Sequence, residues 1–300
     1  GRSRIFIHDI DTGERRVLFE TGNSVEPQWL PGIASPQYVL QSSVSDLPWL
    51  QEEIAFIYDD ALWLKRADGQ KMTLLADPDS VGPISGYSWA PDGSALAFVS
   101  QTGLWRVQIA DGALQQLVDR KPLGEITQVA WSPDGNSLAV IAEDDLDGPG
   151  LSIISADGLT YRRLLGKVDG LIAWAGPLLV LLYRTEGNSE EYVAYESKLK
   201  VIDPRVDPPG ELTISDAWEM PFTEPGSHRY LEISQDQQWI IFNDMGVAGA
   251  ASVSGTPVQN APGGFWKGAQ PIISFTRYDR SLRASKLFEF DPATGAERDL

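Results

Sequence analysis

The residues best suited to chemistry are carboxylates clustered in short polar stretches that follow apolar runs. Asp59-Asp60, Glu143-Asp144-Asp145-Leu146-Asp147, Glu186 with Glu190-Glu191, and Asn243-Asp244 are the main groups. Such groups offer hard oxygen donors for a cation, or a negative field that draws in a basic peptide. Asp145 and Asp147, just ahead of Gly148, come nearest to a calcium loop. They lack the Asp-x-Asp-x-Asp-Gly spacing and the later bidentate Glu, so calcium is a weak candidate and no cofactor is expected. The other chemistry is thin. The chain has two histidines, His8 and His228, and no cysteine, which excludes disulfides, thiolate metal sites and thiol nucleophiles. No His-Glu-x-x-His run, Gly-x-Ser-x-Gly elbow or phosphate-cradling glycine loop occurs, and no catalytic residue is assigned. Trp49, Trp218 and Trp266 fall in expected loops or insertions, and one of them is expected to be an exposed contact anchor.

The elements that must position these groups are written in a repeat. Trp89-Ala90-Pro91-Asp92-Gly93 returns 42 residues later as Trp131-Ser132-Pro133-Asp134-Gly135. Each copy leads into an apolar strand, Leu96–Ser100 and Leu138–Ala142. A second turn recurs as Ala67-Asp68-Gly69, Ala110-Asp111-Gly112 and Ala156-Asp157-Gly158. Pro presets φ for the turn, Asp tolerates the next position and Gly accepts a left-handed conformation. Between the turns, Leu104–Ile109 alternates, with Trp105, Val107 and Ile109 on one face, the pattern of a half-buried strand.

Self-similarity at roughly 40–45 residues, built from short strands and turns, points to the blades of a β-propeller. The reading is an all-β single domain over 1–300 with four-stranded antiparallel blades at about 25–76, 84–118, 126–165, 168–217, 229–261 and 265–300. Residues 1–22 form an extra hairpin or a partial blade. Six blades are preferred, with seven as the alternative. The turn of the fifth repeat, Ile233-Ser234-Gln235-Asp236, reads as degraded, and Trp29, Trp89, Trp131 and Trp174 read as inter-blade packing. If the ring closes, the acidic loops converge on one rim around the channel.

Charge narrows the partners. Lys and Arg number 24 against 42 Asp and Glu, for a formal charge of −18, which repels nucleic acid. The apolar stretch Gly170–Tyr183 is too short to span a bilayer as a helix and is broken by Gly176-Pro177, so it reads as two buried strands. The chain opens on Gly1 with neither signal peptide nor initiator Met, as a processed or trimmed piece would.

The Trp-Ser-Pro-Asp-Gly phrase, its apolar strand and the Ala-Asp-Gly turn resemble the TolB-type, WD-repeat-like propeller repeat, most closely over about 84–165. Related repeats occur in the propellers of prolyl oligopeptidase-like and tricorn-type proteases. The resemblance implies a periplasmic or cell-surface scaffold that grips other proteins. The expected function is therefore non-catalytic capture of a protein or peptide, a basic one among the candidates, by a face comprising Asp59, Asp60, Glu143, Asp144, Asp145, Asp147, Glu190, Glu191, Asp244, Trp218 and Trp266. The alternatives are a metal-dependent, lactonase-like propeller hydrolase and a regulatory propeller from a larger protease or sensor.

Overall fold

The computed structural model describes residues 53–66, 72–144, 148–168, 170–186, 195–219, 229–244, 247–258, 261–262, 264–267, 271–279 and 284–299, with the backbone of three earlier strands. Arg4–His8 and Arg15–Glu20 pair as a two-stranded hairpin. Six four-stranded sheets follow, each laid down in chain order as strands A to D with sequential neighbours hydrogen-bonded. Sheet 1 is Ser24–Trp29, Glu53–Tyr58, Ala61–Arg66 and Met72–Ala76. Sheet 2 is Ile84–Trp89, Ala95–Ser100, Gly103–Gln108 and Leu114–Asp119. Sheet 3 is Glu125–Trp131, Ser137–Asp144, Gly148–Ser155 and Tyr161–Gly166. Sheet 4 is Gly170–Ala175, Leu178–Glu186, Tyr195–Asp203 and Gly210–Glu219. Sheet 5 is Tyr230–Ile233, Trp239–Asp244, Val247–Ser252 and Pro257–Val258. Sheet 6 is Phe265–Trp266, Ile273–Asp279, Ala284–Asp291 and Ala296–Asp299. Two four-residue helices, α1 (Pro78–Val81) and α2 (Arg120–Leu123), connect sheets 1 to 2 and 2 to 3. No helix among the described residues is long and apolar enough to cross a membrane. Gly170–Tyr183 is split between two strands of sheet 4, joined through Gly176 at φ 59°.

The chain divides into two compact units: Gly1–Trp131 with Gly135–Gly148 and Ile154–Arg162, and Ser132–Asp134 with Pro149–Ile153 and Arg163–Leu300. In the first unit the core lies between successive sheets. Strand Ala95–Ser100 is buried along its whole length, which explains why it reads as a continuous apolar run. Its Leu96 and Phe98 point to sheet 1 and meet Ala55, Ile57, Leu62 and Leu64. Its Ala95, Ala97 and Val99 point to sheet 3 and meet Ile126, Leu138, Val140 and Ile154. Trp89 and Trp131 close strand A of their sheets and sit in the same two interfaces. Fully burying such a side chain is worth about 1.5–3 kcal/mol. Polar ties fix the stacking. The Tyr87 hydroxyl donates to Ala55 O at 2.8 Å, and Trp131 N donates to Ser88 Oγ at 2.9 Å. In the second unit, Val180, Leu182, Leu199 and Val201 of sheet 4 pack on Ile240 and Phe242 of sheet 5. Ile241 and Ala250 of sheet 5 then meet Ile273, Phe275 and Phe290 of sheet 6.

The turns share one device, an Asp carboxylate that accepts the backbone amide two residues on. Between strands A and B it is Asp92 with Ser94 N at 3.0 Å and Asp236 with Gln238 N at 3.1 Å. Between strands C and D it is Asp111 with Ala113 N, Asp157 with Leu159 N, Asp203 with Arg205 N and Asp291 with Ala293 N, all at 2.8–3.0 Å. The turn of sheet 5 lacks both Pro and Gly, yet its Ser234 Oγ donates to Asp236 at 2.5 Å as Ser132 Oγ donates to Asp134 at 2.6 Å. The left-handed step that Gly93 and Gly135 take falls there to Gln237 at φ 59°. The sequence motif of this turn is degraded, as read, yet the Ser–Asp pair holds its shape. The Ala67-Asp68-Gly69 turn lies outside the described residues.

Two tests follow from this architecture. Tyr87→Phe keeps the ring and removes the hydroxyl that reaches Ala55 O, and should cost about 1–2 kcal/mol in urea denaturation. The second test concerns acid. Hydrogen bonds from the Arg205 side chain and backbone hold Asp203 down at about 2. Asp92 is lowered by its bonds from Ser94, and Asp157 by those from Ser155 and Leu159. Each folded carboxyl holds its proton less tightly than its unfolded counterpart. The stability these groups contribute is complete above roughly pH 4 and is lost as pH falls toward the folded values. The thermal midpoint should fall through that window, and less steeply in Asp203→Asn, which keeps an acceptor oxygen at the turn.

Candidate partner-binding surface

The loops that carry the predicted site residues lie where strands B and C turn and strands D hand on to the next A. In sheet 1 the turn is Asp59-Asp60, with φ 52° and 60°. Two consecutive left-handed residues suit a two-residue hairpin, and Asp tolerates that region better than most side chains. Asp60 O accepts from Ile84 N at 3.0 Å, which pins the turn to sheet 2 and leaves both carboxylates exposed. In sheet 2 the turn is Gln101-Thr102. Thr102 Oγ1 donates to Val81 O at 2.7 Å and accepts from Trp105 Nε1 at 3.0 Å. Gly103 follows at φ 139°, where a Cβ would lie 2.2 Å from Val118 O.

Helices α1 and α2 extend the repeat into the connections. Asp77 caps α1 by accepting from Asp79 N, and Asp119 caps α2 by accepting from Lys121 N, both at 2.9 Å. Gly82 and Gly124 close the two helices. Asp77 and Asp119 are 42 residues apart, as are Gly82 and Gly124. That spacing was available in the sequence but obscured by the unlike residues between.

Beside α2 a cleft of about 500 Å³ opens, lined by Thr102, Asp119, Arg120, Lys121, Glu125 and Glu143 among others. Glu125 begins strand A of sheet 3, and the register sets it directly opposite Glu143 on strand B. Both are exposed. Like charges opposed across a strand pair destabilise it. Arg120 answers one of them, donating from Nη2 to Glu125 Oε2 at 3.1 Å. Glu125 was not singled out in the sequence, because only the pairing register reveals the juxtaposition.

In the second unit the expected site residues fare differently. Asp244 is fully buried and accepts from Arg229 Nε at 2.8 Å, so it is an internal ion pair and not an exposed tip. Trp266 packs against the Ile241–Phe275 cluster, and its Nε1 is buried without a partner among the described residues. Trp266 is thus half-buried and is not the exposed one of the three tryptophans. Glu232, in the short strand Tyr230–Ile233, has its carboxyl pushed up by burial. Tyr230 beside it is pushed up by burial first, then by that carboxylate, while its hydroxyl accepts from Gly264 N at 2.8 Å. A lone acid in an otherwise apolar strand was the available signal.

Asp145, Asp147, Glu190, Glu191, Trp49 and His228 lie outside the described residues. Asp144, Trp218 and His8 are located only as strand positions at the ends of Ser137–Asp144, Gly210–Glu219 and Arg4–His8. Among the described residues no group of three or more His, Asp or Glu is placed to hold a metal ion.

No protein-family model matches the sequence, and no curated protein matches it. Solved structures do. TolB from Acinetobacter baumannii is 14% identical, with 100% of this chain and 76% of that one covered at a TM-score of 0.52. An oligogalacturonate lyase in complex with manganese is 13% identical, with 99% and 83% covered at 0.55. The β-propeller domain of the Trilobed protease from Pyrococcus furiosus is 11% identical, with 82% and 81% covered at 0.50. Identities this low speak to architecture alone, and the three proteins differ in what they do. Six four-stranded sheets laid down in chain order, with repeating Asp-closed turns and likeness to these structures, make this chain an all-β protein of the TolB-type β-propeller fold.

Proposed function

We propose that this chain is a non-catalytic propeller module that captures a protein or peptide through the loop end bearing Asp59, Asp60, Glu125 and Glu143, and that it works outside the cytoplasm. The observation that carries this reading is that Glu125 and Glu143 stand opposite each other, exposed, on one cleft where Arg120 pairs with Glu125, so that Glu143 offers its charge to a bound cationic group. The loops of the first unit add Asp59, Asp60 and Asp79, against Arg120 and Lys121 as the described basic residues there. Asp77 and Asp119 are spent on helix caps and belong to the fold. A surface of this sign favours Lys- and Arg-rich partners and raises their rate of encounter. It disfavours nucleic acid. The TolB-type fold supports an extracytoplasmic scaffold role.

The reading predicts a salt-sensitive complex with basic peptides. An array of Lys/Arg-rich peptides and charge-reversed counterparts, read by fluorescence anisotropy, should show binding of the basic set alone. Raising salt from about 0.05 M to about 0.5 M should weaken it roughly tenfold, since exposed charges are screened over that range. Asp59→Asn with Asp60→Asn keeps the left-handed turn and removes its charge, and Glu143→Gln removes the strand-pair repulsion. Each exposed charge contributes about 0.2–1 kcal/mol, so the triple variant should bind several-fold to about a hundredfold more weakly. Equal binding of acidic peptides, or no salt dependence, would overturn the proposal.

A further inference from the structure

At the opposite end of the sheets, where strands A turn to B and C turn to D, sheets 5 and 6 frame a pocket of about 540 Å³. That volume falls within the range of about 300–1,000 Å³ typical of small-molecule sites. Its wall is Gln238 and Trp239 from the A–B side of sheet 5, the hydroxyls of Ser252, Ser254 and Thr256 from its C–D turn, and the Pro292 turn of sheet 6. None of its lining residues is charged, in a chain of which 22% is charged. The flanking carboxylates are already engaged: Asp236 accepts from Ser234 Oγ and Gln238 N, and Asp291 from Ala293 N and Thr294 Oγ1.

Trp239 is the informative residue. Counted from the turn Asp, repeats 2 and 3 carry Ala95 and Ser137 where repeat 5 carries Trp239. Those repeats place their tryptophan at the end of strand A instead, where Trp131 Nε1 braces the turn by donating to Gly135 O at 3.1 Å. Repeat 5 has Ile233 there. Its tryptophan has therefore left the position that serves the turn and joined the wall of the pocket. Its backbone N donates to Ser234 Oγ at 2.9 Å, while its indole N–H has no partner among the described residues.

We propose that this pocket binds a neutral oligosaccharide. A flat indole beside proline rings receives the C–H face of a pyranose, and an uncharged wall leaves a carboxylate or phosphate no counter-charge. The indole N–H, the Gln238 carboxamide and the Ser254 and Thr256 hydroxyls supply donors and acceptors of the neutral kind that sugar hydroxyls match. The pocket shares no residue with the acidic loop end of the first unit, and the two proposals are tested independently.

The test titrates ¹⁵N-labelled protein with cellotriose, maltotriose, chitotriose and mannotriose, with trigalacturonate as the charged comparison. The indole N–H resonance that disappears in Trp239→Phe is assigned to Trp239. At least one neutral trisaccharide should shift it in a saturable way, and trigalacturonate should bind at least tenfold more weakly. Trp239→Ala and Thr256→Val should each weaken that binding at least tenfold. Should Trp239→Ala not fold, Thr256→Val decides. No saturable shift with any neutral sugar, tighter binding of trigalacturonate, or unchanged affinity in Thr256→Val would each overturn the assignment. Basic-peptide binding, measured on the same variants, should be unchanged.

Discussion

The structure depends on a small local bond: an aspartate carboxylate accepting the amide two residues ahead of it. The bond recurs at Asp92 and Asp236 between strands A and B, and at Asp111, Asp157, Asp203 and Asp291 between strands C and D. It also starts both short helices, at Asp77 and Asp119. Each instance satisfies a backbone donor that a tight turn leaves without a ladder partner, and it does so within a few residues. Hairpin geometry is thereby set locally, before any distant segment arrives. What remains for long-range interactions is to stack one finished sheet upon the next.

That stacking follows from the two-residue period of the strands. In Ala95–Ser100 the large Leu96 and Phe98 go to one neighbour and the small Ala95 and Ala97 to the other. Sheet 3 returns Leu138 and Val140 into the space those alanines leave. A lone sheet of this kind has two greasy faces and cannot be stable, so neighbours are obligatory. The cross-sheet bonds of Tyr87 and Tyr230 fix the register of the stack, which burial alone does not.

This division explains what the sequence made legible. Strands and turns are local, so the repeated Trp-x-Pro-Asp-Gly phrase placed them well. The turn at Ser234-Gln235-Asp236 reads as degraded because Pro and Gly are the visible markers, whereas the bonding is done by Ser and Asp. The connecting helices escaped because only Asp and Gly recur in them. Exposure is a tertiary property: Asp244 looked like a loop-tip acid, yet Arg229 and the surrounding sheet enclose it. The Glu125–Glu143 opposition needed the pairing register, which no local pattern encodes.

The acidity of the chain is then two populations with different meanings. One consists of carboxylates whose lone pairs are occupied by backbone amides. Their role in the turns and helix caps is structural, whatever the protein binds. The other consists of exposed carboxylates that no amide or hydroxyl claims, such as Glu143, set by the strand register opposite Glu125. A net charge of −18 counts both alike. The second population keeps its lone pairs open to solvent, which is why the proposed partner-binding surface is drawn on it and not on the turn aspartates. Trp239, by contrast, is an aromatic set three residues after its turn Asp, in the wall of a pocket, where repeats 2 and 3 carry Ala95 and Ser137.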